Sequence, residues 1–133
     1  MTQIGAIGAL RTSYIAPIKK VEGKKEDKDF EVYKQKNNDH IMNHEKAHQS
    51  AAGALGGGIV IEKNSDGVAF AGHIPIQIPD VNASNVDLSK PQNEKVKASA
   101  LAPSDPSGQD YLVAAQAQAN INKALLLIKQ KQC

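Results

Sequence analysis

Cysteine is almost missing from this chain: of 133 residues only Cys133, the last, is one. That excludes an internal disulfide framework and any thiolate-bound metal cluster, so metal ligands must come from His, Asp and Glu. Tryptophan is absent and aromatic residues make up 4%, too few for a base-stacking platform. A core of this composition rests on Ala, Ile, Leu and Val. The net charge of +2 leaves no electrostatic footprint for nucleic acid. No apolar run approaches the ~20 residues of a membrane span. Met1 to Leu10 is mildly apolar, but no basic residue precedes it and no clear cleavage site follows. It does not read as a signal peptide, and a cytoplasmic location is the default expectation. The length allows one small domain with a modest core.

Against these absences stands one dense stretch, Asn43-His44-Glu45-Lys46-Ala47-His48. It is a His-Glu-x-x-His pattern. On a helix, His44 and His48 lie one turn apart on one face, so both imidazoles can bind one tetrahedral zinc ion. Glu45, next along the surface, can reach a water at that metal and act as general base. The bland alternative is a solvated helix turn with an incidental histidine pair. The surrounding pattern argues against it. From Phe30 onward, Tyr33, Asn37, Ile41, His44, His48, Ala51, Ala52 and Leu55 recur at spacings of mostly three and four, which predicts a helix with both histidines facing inward. Gly53 and Gly56-Gly57-Gly58 should end it.

Residues 1–29 are expected to be a flexible N-terminal arm, docking through Ile4, Ile7 and Leu10, and a charged linker, with 30–130 as the folded domain. After the helix, Ile59–Lys63 and Val68–Ala71 flank Asn64-Ser65-Asp66-Gly67 and read as a β-hairpin. The strand should continue through Ile78, with Pro75 placing this part at an edge or outside the sheet. Gly72 would let the backbone approach something closely just before His73. Residues 79–92 should be largely loop and 92–101 a short helix with Val96, Ala100 and Leu101 inward. The last helix begins near Ser107, whose spacing to Asp110 is that of a capping box. Its predicted inward stripe is Tyr111, Ala114, Ala117, Ile121, Leu125 and Ile128. The fold class is therefore α+β: a zincin-like helix, a β-hairpin and two C-terminal helices.

A catalytic zinc usually takes three protein ligands. The metzincin arrangement is excluded, because its glycine and third histidine fall on Ala51 and Ala54 here. The remaining candidates are His73, His40, Asp39, Asp105 and Asp110. His73 is preferred, since its strand can fold back against the helix; Asp110 fits first as a helix cap.

The run from Asp39 to Gly53 resembles the SprA-related family of bacterial metallopeptidases, which reads Asp, a few residues, then His-Glu-x-Ala-His-x-x-Ala-Gly. Two further blocks agree in order. Asp66-Gly67 followed by Gly72-His73-Ile74-Pro75-Ile76 is similar to the family's Pro-Asp-Gly hairpin and Gly-Gly-Glu-Val-Pro-Ile-Asp. Ala100-Leu101-Ala102-Pro103-Ser104-Asp105-Pro106-Ser107-Gly108-Gln109-Asp110 is similar to its Ala-Leu-Ala-Pro-Ala-x-Pro-Ser-x-Gln-Asp. His73 stands where the family usually has Glu, an exchange between two zinc ligands, and Gln77 replaces the Asp after Pro-Ile. The resemblance implies a zinc-dependent peptidase acting on a peptide or protein substrate, with Zn2+ held by His44, His48 and His73 and with Glu45 as base. Two rivals stand beside it. One is a non-catalytic interaction module that keeps the helix. The other is a structural zinc site closed by Asp39, His40 or Asp110.

Overall fold

The structure, a computed structural model, describes residues 2–7 and 24–132, with side chains from residue 28 onward. In chain order the elements are β1 (Thr2–Ile7), α1 (Lys24–Ala52), β2 (Val60–Lys63), β3 (Ala69–Pro79), α2 (Val86–Ala100) and α3 (Gly108–Lys131), with a short 3-10 turn at Gly53–Leu55 after α1. The three strands form an antiparallel sheet in the order β1-β3-β2. The α+β class expected from the sequence is what the chain adopts.

The hairpin forms as its turn residues dictate. Gly67 sits at a φ of +79°, where a side chain would be strained. The Asn64 side-chain oxygen accepts from the backbone N–H groups of Asp66 and Val68. Between Glu62 and Lys63 the register shifts, because their partners are Ala71 and Ala69. Phe70 is thereby an extra residue, bulged toward solvent.

Even-numbered residues of β3 beyond the bulge face the helices. Ile74, Ile76 and Ile78 pack with Ala52 of α1, Val96 and Ala100 of α2, and Val113, Ala114 and Ala117 of α3. Each is fully or almost fully buried, so the core rests on Ile, Val and Ala. Val81, Val86 and Ala124 form a smaller second cluster.

Several expectations need correction. Thr2–Ile7, read as part of a loose arm, pairs with Ile74–Pro79, and docking through Leu10 concerns a residue outside those described. Residues 24–29 are not linker but the first turns of α1. β3 is the central strand despite Pro75. The Pro75 carbonyl accepts from Gly57 N–H at 2.8 Å on the side where β2 has already ended. Its missing N–H points the same way, so no ladder bond is lost. α2 begins at Val86, six residues before the expected start, and carries Pro91 inside it. Leu101 is exposed, because the chain leaves the helix there. The buried stripe of α3 runs through Asp110, Val113, Ala114, Ala117, Ile121 and Ala124, whereas Tyr111 and Leu125 are exposed.

Candidate metal centre

The buried face of α1 consists of Asn37, Ile41, His44, Glu45, His48 and Ala52. Asn37 and Asn38 fix the rotation of the helix against the hairpin. Asn37 donates to the Ala69 carbonyl at 2.6 Å, and Asn38 donates to the Gly67 carbonyl while accepting from Ala69 N–H. That rotation carries both histidines inward, with ring centroids 4.8 Å apart.

Each ring is held at Nδ1 by a different element. His48 Nδ1 lies 2.8 Å from the Ser99 carbonyl near the end of α2, and Ser99 Oγ donates back to the His48 carbonyl. A carbonyl only accepts, so Nδ1 carries the hydrogen and the lone pair sits at Nε2. His44 Nδ1 lies 3.0 Å from Asp105 Oδ1, so a hydrogen on Nδ1 can bond Asp105 while Nε2 faces Asp110. The two Nε2 atoms then face each other at 3.2 Å. Asp110 completes the cluster: its Oδ2 is 3.3 Å from His44 Nε2 and 3.1 Å from His48 Nε2. The same oxygen accepts Ser107 N–H in the capping box that starts α3.

Electrostatics follow from burial. Desolvation alone would lower the pKa of His44, but its bonds to Asp110 and Asp105 outweigh it and hold the imidazole above its usual value. Glu45 is fully buried, and neither carboxylate oxygen has a hydrogen-bond partner. Desolvation pushes its carboxyl up to about 8; the charge on His44 opposes this and Asp110 adds to it. Gly72 explains how Glu45 is covered, since a Cβ there would lie 2.9 Å from Glu45 Cγ and 2.9 Å from Ile41 Cγ2. The expected close approach at Gly72 is thus to Glu45.

Of the metal residues expected from the sequence, the structure brings together His44 and His48 but not His73. Gly72 faces α1, so its neighbour His73 projects to the other face of β3, where it pairs with the exposed Val60. The preference for His73 as third ligand is corrected on that ground. Asp39 bonds Gln35 at the surface. His40 pairs with the other oxygen of Asp105 at 3.3 Å, and this half-exposed pair lies on the Nδ1 side of His44. Sequence reasoning missed Ser99, which contributes a backbone carbonyl and has no residue signature. A cavity of about 230 Å³ lies beside the centre, between His40, Asn43, His44 and Ala47 on α1 and the segment 102–105.

His44, Glu45 and His48 each offer a ligand atom, all within 4.8 Å of one another, so this group can hold a metal ion. The two Nε2 atoms converge 3.2 Å apart with the Asp110 carboxylate against both, an arrangement that a shared proton or a metal ion would satisfy, so the donor set fits a metal there. The molecule is thus an α+β protein with a buried His-Glu-x-x-His centre. The chain belongs to the SprA-related family, whose sequence model matches residues 18–131. No curated protein and no solved structure matches it. Among the described residues no helix is long and apolar enough to cross a membrane.

Proposed function

We propose that this protein is a zinc-dependent peptidase. The observation that carries the reading is the convergence of two imidazole Nε2 atoms beside a buried Glu45 carboxyl with no hydrogen-bond partner, on the same turn of α1. His44 and His48 would hold the ion. Their Nδ1–H groups, bonded to Asp105 and the Ser99 carbonyl, orient the rings and raise the basicity of Nε2. When bound, zinc supplies Lewis acidity that polarises the scissile carbonyl and lowers the pKa of water to about 7. Glu45 accepts the proton of the attacking water on its carboxylate and returns it to the leaving amine. The substrate is a peptide or protein chain, reaching the centre from the cavity beside His44 when the segment 102–105 gives way. The unit responsible is residues 30–130, together with the turns of α1 that precede Phe30.

One observation favours a second reading, a metal held for structure alone: His44 is 4% exposed and Glu45 and His48 are 0% exposed. A comparison of wild type with Glu45→Gln separates the two. The peptidase reading expects both proteins to bind one zinc, and the variant to lose about 10²- to 10⁴-fold in cleavage of a peptide library. Zinc bound equally by both, with no peptide cut by either, replaces it with the structural reading.

A further inference from the structure

We propose that Asp110 is the third metal ligand, completing a His44–His48–Asp110 set. This rests on the metal-centre reading above and names the residue that completes it. The three atoms His44 Nε2, His48 Nε2 and Asp110 Oδ2 form a nearly equilateral triangle with edges of 3.1, 3.2 and 3.3 Å. Ligand bonds of about 2.0–2.1 Å at tetrahedral angles give edges of about 3.3 Å, so the triangle matches one face of a zinc coordination sphere. With Nδ1 of the two rings turned to Asp105 and to the Ser99 carbonyl, both Nε2 atoms are turned toward the Asp110 oxygen.

The carboxylate is placed as firmly as the rings. Asp110 is fully buried, and Ser107 N–H fixes the same oxygen at 2.8 Å. This also accounts for the rotation of α3, whose buried stripe starts at Asp110 rather than Tyr111. The other candidates fall away on position: His73 is on the far face of β3, Asp39 is at the surface, and His40 and Asp105 lie on the Nδ1 side of His44. Two neutral imidazoles and one carboxylate leave a fourth position beside Glu45.

Zinc affinity, measured by competition with a chromophoric chelator, tests the assignment. Asp110→Asn should bind zinc about 100-fold or more weakly than wild type. Ser107→Ala, which removes the cap but keeps the carboxylate, should melt at a lower temperature yet bind zinc close to wild type. Wild-type affinity in Asp110→Asn overturns the assignment while leaving the peptidase reading standing; a wild-type protein that takes up no zinc overturns both. Because Asp110→Asn also weakens the cap, two measurements do not depend on it. X-ray absorption of zinc-loaded wild type should show two imidazoles, and three would overturn the proposal. Cobalt(II)-loaded Asp110→Cys in a Cys133→Ser background should show a thiolate-to-cobalt charge-transfer band; cobalt bound without that band overturns it.

Discussion

At Glu45, desolvation acts on a carboxyl whose two oxygens have no partner, and the folded chain moves its pKa from 4.5 to about 8. A raised folded value means that burying the ionised form costs stability. Below pH 4.5 the cost is absent, it grows as pH rises, and it is complete above about 8. In chelator-treated protein, Glu45→Gln should therefore be more stable than wild type at pH 8, by on the order of a few kcal/mol, with the gap closing at pH 5. Thermal melts at the two values check this; parallel melting of both proteins would show that Glu45 is not buried as ionised carboxylate. The histidine pair was legible in the sequence because a four-residue spacing admits one geometry on a helix. The burial of Glu45 was not, since it lies at the border of the apolar face and is covered by the close approach of a distant residue, Gly72. The same glycine decides against His73. Once residue 72 faces the helix, residue 73 cannot.

Helix α1 is set against the hairpin by Asn38, which bonds the Gly67 carbonyl at 3.0 Å and Ala69 N–H at 2.8 Å. Asn38→Ala removes both bonds and should cost about 1–3 kcal/mol, two hydrogen bonds at their usual net worth. A lowered denaturant midpoint and faster exchange of the Ala69 amide would show it; an unchanged midpoint would mean that the hairpin does not rely on this contact. The hairpin itself was legible because Asn64 and Gly67 are residues the turn demands. The start of α2 was not: Pro91 and the Asn- and Ser-rich approach read as loop, yet Asn82 and Asn85 fold that approach into a turn that launches the helix. The middle of the α3 stripe, Ala114, Ala117 and Ile121, was legible, but its start was not, because hydrophobicity favoured Tyr111 and gave no weight to a buried Asp110.

For the molecule as a whole, β3 is the strand on which sheet and helices meet, and each of its neighbours covers a different part. β2 pairs with residues 69–73 and β1 with residues 74–79. Removing residues 1–7 would leave that second stretch unpaired on one edge, carrying the core isoleucines. The truncated protein should self-associate, and size-exclusion chromatography over a concentration series checks it; a monomer at all concentrations would show that β1 is dispensable. Ile4 and Ile7 signalled that this segment docks, but not that it does so as a strand, because edge pairing depends on a partner some seventy residues away rather than on local pattern.

The near-complete burial of His44, Glu45, His48 and Asp110 also governs time. An ion seated among them is covered on all sides, so its residence is set by how often the segment 102–105 and the first turn of α3 open, not by how hungry the surrounding solution is for metal. Stripping by chelator should then reach a plateau rate that no longer rises with chelator concentration and that matches amide exchange in the first turn of α3. A rate that keeps climbing with chelator would show instead that the cavity at His44 already reaches the ion without any opening.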